Sequence, residues 1–316
     1  MPDPLSRRPV RLVALAATVT IVSACAPSAT LVSDPVFAEL YLSEQEELRR
    51  FETAAGEAGF ELRTVTLDAV PSGREEVDAA LARVDPGHPT VLSPLLSGLV
   101  SSSDPARDGG GPPVLLLGGP DDLTGAHSAA SPADEASADA DGDTHADDNT
   151  DDAVSRAVYN RVPAFSGLGT RVGGNAVVAY FRTDTPARRA ELDAFRDGLG
   201  GGVESTRFVV FESPPDDSVV REELFRVRSP DVELVAAFLG AQNRLVLEEI
   251  RGMGTTPPPV ATEDLGPAAA YDSFVSYSIE RDYAGAVESF LSGRRGTIIV
   301  DARLVDRDVE RNDRVP

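Results

Sequence analysis

The chain has 316 residues, 52 acidic and 29 basic, for a formal charge of -23 at pH 7. Its hydrophobic share, 41%, is enough to build cores and excludes wholesale disorder, and the length suits two ordinary domains or one large one. Every basic residue is Arg, the acidic surface argues against binding phosphate backbones, and the single Cys excludes disulfide-stapled or cysteine-rich zinc folds.

At the amino end, Arg7, Arg8 and Arg11 precede residues 12–22, an apolar run without charge. This is the order of a secretory signal, and the run is too short to span a bilayer comfortably. It closes in Val22-Ser23-Ala24-Cys25, followed by Ala26-Pro27-Ser28. An aliphatic residue, two small residues and a Cys resemble the bacterial lipobox. The resemblance implies removal of residues 1–24, a diacylglycerol (palmitate-type) chain on the Cys25 thiol, and acylation of the new amino group. Two or more chains anchor a protein stably, since each buried CH2 contributes about 0.8 kcal/mol. The expected product is an envelope lipoprotein facing the periplasm or exterior, with residues 25–33 as tether and first strand.

Beyond the tether, helical and strand-like segments alternate. Residues 44–59 carry Leu48, Phe51, Ala54, Ala55 and Ala58 at helical spacing, with Ser43 as cap and Gly59 as stop. Residues 60–67 alternate as a half-buried strand does, and residues 72–84 return to helical spacing. The short apolar runs 90–92 and 114–117, bounded by Pro and Gly, read as buried parallel strands. The rhythm resumes with strands at 176–181, 208–211, 233–239, 260–262 and 297–300. Helices are expected at 187–199, 219–227, 243–251 and 281–291. Repeated alternation of this kind predicts an α/β protein of two doubly wound, parallel-sheet lobes with a cleft between them. The expected first lobe is 34–170 and the second 171–316, with a segment near 276–295 returning to the first.

Residues 120–152 interrupt the series with eleven Asp or Glu and no Arg. Such a composition cannot bury enough apolar area to offset its ordering entropy, so it reads as a disordered insertion. Asp139, Asp141 and Asp143 have the alternate spacing of a calcium loop. Thr144 stands where the turn Gly belongs and Thr150 where the bidentate acid belongs, so no metal site is assigned.

Catalytic signatures are missing. There is no G-x-S-x-G elbow, and a Walker lysine is impossible without Lys. Gly167-Leu168-Gly169-Thr170-Arg171-Val172-Gly173 has the look of a phosphate loop but precedes a strand, and so reads as a turn and lobe linker. His88, His127 and His145 have no Ser or Cys partner in a recognisable context. The expectation is a non-enzyme without cofactor, with an exported hydrolase as the remaining catalytic reading.

Four segments carry a further resemblance: 185–195 (TPARRAELDAF), 233–243 (ELVAAFLGAQN), 260–264 (VATED) and 297–307 (TIIVDARLVDR). In this order they resemble the type I periplasmic binding proteins, the family of ribose-binding protein and the effector domain of lactose-repressor-like regulators. Coverage is about residues 160–310, with weaker agreement over 30–118. The resemblance implies an interlobe ligand site fed by residues just past strand ends. Asn243 is similar to a cleft Asn, and Glu263 with Asp264 to a cleft acid pair. Ser93, Arg182, Asp184 and Arg189 complete the candidate set; capping is the competing role for Asp184 and Asn243. The sequence departs from the family where Glu191 stands four residues before Phe195 in place of an Arg, Arg189 being the nearest, and where Arg244 follows Asn243.

The reading is a membrane-anchored solute-binding lipoprotein that takes a small polar, sugar-like or related ligand between its lobes and presents it to an ABC-type permease. The alternative is an envelope lipoprotein of the same fold with a degenerate site and a structural or sensory role. A nucleic-acid partner is not expected, because an export signal stands where a basic helix-turn-helix would precede the first lobe.

Overall fold

The computed structural model describes residues 26–42, 45–82, 84, 87–100, 113–118, 154–226, 231–252, 257–263 and 274–307. Cys25, Asp264, His127, His145 and the acidic stretch 120–152 lie outside them.

Two six-stranded sheets organise these residues. The first contains β1 (Ser28–Ser33), β2 (Glu61–Thr66), β3 (Thr90–Leu92), β4 (Val114–Leu116), β5 (Val154–Asn160) and β11 (Thr297–Asp301). Their order is β11-β5-β4-β3-β1-β2, all parallel. The second contains β6 (Val177–Arg182), β7 (Arg207–Phe211), β8 (Leu234–Phe238), β9 (Val260–Glu263), β10 (Val275–Glu280) and β12 (Arg303–Asp306). Its order, β12-β10-β9-β8-β6-β7, repeats the first, with β12 alone antiparallel. Central strands such as VVAYFR and LVAAF are buried along their whole length, as strands covered on both faces must be. The less buried β2 and β7 each lie at one edge of their sheet, with β11 and β12 at the opposite edges.

Helices cover both faces of each sheet. In the first lobe, α1 (Pro35–Phe37), α2 (Gln45–Glu57) and α9 (Tyr283–Leu291) pack Phe37, Phe51 and Phe290 onto one face. There α3 (Arg74–Leu81) and α4 (Pro94–Leu99) set Val77 and Leu96 against the other. In the second lobe, α5 (Val162–Val172) and α6 (Pro186–Leu199) enclose Phe165, Phe181, Phe195 and Phe238. On its opposite face, α7 (Asp217–Arg226) and α8 (Asn243–Arg251) bury Val220, Leu224, Val246 and Ile250. No described helix is long and apolar enough to cross a membrane.

The chain passes between the sheets three times, after Asn160, after Glu280 and at Ala302. This moves two expected boundaries. The first lobe ends at Asn160 and not at 170, because residues 162–172 form a helix of the second lobe and not a linker. Gly169 and Gly198 permit that helix to lie hard against α6: a Cβ on Gly169 would stand 2.3 Å from the Phe195 carbonyl oxygen, and one on Gly198 2.2 Å from that of Ser166. The glycines that suggested a loop serve a helix crossing. The returning segment is likewise shifted, since β10 pairs with β9 in the second lobe while α9 and β11 belong to the first.

Candidate functional site

All three crossovers leave the carboxyl ends of strands, β5, β10 and β11, so both sheets turn those ends toward the boundary between the lobes. In each sheet the winding direction reverses between the first and third strands, β1/β3 and β6/β8. Open α/β sheets bind ligands outside the strand ends at such switch points.

Beside the switch point of the second lobe, one strand beyond β8, lies a buried ionic cluster centred on Glu263, the last residue of β9. Arg188 reaches it with Nη1 at 2.6 Å and Nη2 at 3.0 Å, and Arg161 donates to the same carboxylate. The Gly240 amide donates to Oε1 at 3.1 Å and the Asn243 side chain at 3.4 Å. Arg188 also bonds Glu191 at 2.9 Å, and Arg161 Nε stands 3.7 Å from the Glu191 carboxylate. None of Arg161, Arg188, Glu191, Asn243 or Glu263 exceeds 4% exposure, so the cluster is shut off from water. Two guanidinium groups balance two carboxylates, and that balance with the added donors lowers the cost of desolvating four charges. Both oxygens of Glu263 are taken by protein donors.

Local sequence explains the arrangement. Thr185 accepts the Arg188 amide and starts α6, with Pro186 behind it. Arg188 and Glu191 then fall on the stripe that buries Leu192, Phe195 and Leu199. Asn243 accepts the Leu239 amide at 2.7 Å, closing the turn between β8 and α8, and its amide group meets Glu263. Arg161 sits on the first crossover, at the N-cap of α5.

The other candidates divide between the lobes. Arg182, the last residue of β6, has Nε 2.8 Å from Asp184 Oδ1 and packs against Gly240, so this pair flanks the cluster. Ser93 belongs to the first lobe, where its hydroxyl donates to Asp34 at 2.7 Å, while Asp34 caps the Phe37 amide. Both are buried. Arg189 is not in the cluster. It is exposed on α6, with Nε donating to the Thr183 carbonyl, because one helical position rotates it away from the face that Arg188 occupies. Sequence reasoning thus missed Arg161 and Arg188 and treated Glu191 only as a departure. The readable signal was an Arg and a Glu three apart on an apolar helical stripe. Among the described residues, no group of three or more His, Cys, Asp or Glu is placed to hold a metal ion.

No protein-family profile matches the sequence, and no curated protein resembles it in sequence at a significant level. Similar solved structures include a transcriptional activator of the comK gene from Bacillus halodurans, at 13% identity and TM-score 0.52, covering 90% of this chain and 94% of that one. A periplasmic ribose ABC transporter protein from Conexibacter woesei gives 13% identity and TM-score 0.45, covering 91% of this chain and 94% of that one. The Caulobacter myo-inositol binding protein gives 16% and 0.45, covering 88% and 93%. At such identities the likeness speaks of the fold. Two lobes of repeated strand order joined by three crossovers give this chain the type I periplasmic-binding-protein fold.

Proposed function

We propose that this chain is a lipid-anchored binding protein that takes a small polar ligand between its two lobes and hands it to an ABC-type permease. The observation that carries the reading is the architecture itself: two lobes with facing strand ends, joined by short crossovers. Hinge closure around a ligand is the motion such an arrangement permits. The anchor is argued from Val22-Ser23-Ala24-Cys25 and its preceding apolar run. Isothermal calorimetry against sugars, polyols, nucleosides and amino acids tests the reading, and silence across the panel would count against it. Mass spectrometry of the membrane-extracted protein tests the anchor: an unmodified Cys25 would remove it.

A second reading rests on a different observation. Glu263, Asn243, Ser93 and Arg182, four of the residues proposed to meet the ligand, all bond or pair within the protein. A site whose polar groups are already satisfied suits an envelope protein with a structural or sensory role. Calorimetric silence together with correct lipid attachment would favour it.

A further inference from the structure

Beside the second and third crossovers, four side chains close a ring of alternating charge. Glu47 and Arg50, one turn apart on α2, pair at 3.0 Å. Arg50 pairs with Asp282 at 2.6 Å, Asp282 stands 3.9 Å from Arg303, and Arg303 returns to Glu47 at 3.1 Å. Glu47 and Arg50 belong to the first lobe, Arg303 opens β12 of the second, and Asp282 lies on the crossover that caps α9. Arg303 also faces Glu280 at 3.6 Å, and Glu280 is held in turn by Ser278 and Arg307. The ring therefore continues into the interior of the second lobe.

We propose that this ring is a clasp that sets the angle between the two lobes, and so regulates access to the interlobe site. The proposal rests on reading that boundary as the ligand site, but the clasp itself can be tested without a ligand. Three points support it. The Glu47–Arg303 pair joins a helix of one lobe directly to a strand of the other. The ring sits where the chain crosses, so a rotation of the lobes changes its distances while leaving each hydrophobic core intact. Its members are between 19% and 29% exposed, dry enough to interact and wet enough to be screened by salt. The cluster around Glu263 differs in this respect, because it is closed to water and all its members but Arg161 lie within the second lobe.

The experiment is single-molecule energy transfer on the unliganded full chain. Dyes are carried by non-canonical residues at Val65 and Val219, exposed positions in the first and second lobes. Glu47→Gln and Arg303→Gln are each expected to change the ratio of compact to extended populations by about two- to fivefold. The double variant is expected to fall short of the sum of the singles, because the Glu47–Arg303 contact is lost in both. Raising salt from about 0.05 M to about 1 M should move the parent in the same direction as the variants. Arg221→Gln, which breaks a pair with Glu249 inside the second lobe, should leave the distribution alone. Superimposable distributions for parent and both single variants, additive effects in the double, or a parent indifferent to salt would each overturn the clasp. If a Gln variant fails to fold, Arg303→Lys and the salt titration decide the matter. A silent ligand panel, by contrast, would overturn only the transport reading.

Discussion

Arg188 and Glu263, 75 residues apart in the chain, share two hydrogen bonds of 2.6 and 3.0 Å inside the second lobe. The pair makes Glu263 a structural anion. Glu263→Gln would keep the shape of the side chain but leave Arg161 and Arg188 with Glu191 as their one remaining carboxylate in the cluster. Removing one partner of a buried pair costs about 3–5 kcal/mol. Urea denaturation of the unliganded protein should show a loss of that size. A loss under about 1 kcal/mol, the range of an ordinary surface change, would mean that Glu263 is free to meet a ligand.

Asn243 offers a second measure of the same cluster. Its side-chain oxygen accepts the buried Leu239 amide, and its NH2 meets Glu263. Asn243→Ala strips the amide of its partner, at about 1–3 kcal/mol. Asn243→Asp should be worse, because a second negative charge would then stand against Glu263. Thermal melts of the two variants would check the order, and Asp outlasting Ala would contradict the geometry.

What the sequence could reveal follows from this contrast. The alternation of strand-like and helical segments announced two parallel-sheet lobes, because burial on both faces leaves a continuous apolar imprint in strands such as residues 177–182 and 234–238. Gly59 was legible as a helix stop, but α6 is capped by Thr185 and not by Asp184, the residue for which capping was the competing role. Strands beside polar segments were not legible: β5, seven residues long, begins just after the acidic stretch, and β12 has four residues, one of them buried. The cluster was half visible. Glu263 and Asn243 stand at strand and helix ends, where a pattern points to them. Arg161 and Arg188 enter through tertiary placement, which periodicity weighs against charged residues.

Two glycines in helices should respond to Ala with opposite signs. A Cβ at Gly169 meets the Phe195 carbonyl at 2.3 Å, and a backbone group packed between α5 and α6 cannot step aside. Gly169→Ala is expected to cost about 1–3 kcal/mol through overpacking. Gly56 is exposed on α2 with nothing within 4 Å of its added Cβ. There Ala should gain about 0.5–1 kcal/mol by lowering backbone entropy in the unfolded chain. Paired denaturation curves would settle both, and equal signs would refute the helix crossing.

Tyr180 gives the fold a predictable weakness in alkali. Its ring is buried against α7 and α8, its hydroxyl has no hydrogen-bond partner among the described residues, and burial aided by Glu223 pushes the phenol above its ordinary value near 10. In the unfolded chain the phenol ionises at the ordinary value, while in the folded chain it stays protonated. The folded state therefore holds the extra proton, and its stability is intact below about pH 10 and declines as pH rises beyond it. Tyr180→Phe removes both the unsatisfied hydroxyl and the titration. It should be neutral or slightly stabilising at pH 7, and should fall less steeply than the parent above pH 10. The chain contains no Lys but five other Tyr, so it is the difference between the parent and variant curves that isolates Tyr180. Stability measured by urea at intervals through the alkaline range would reveal it; parallel curves for parent and variant would show that Tyr180 ionises as easily folded as unfolded.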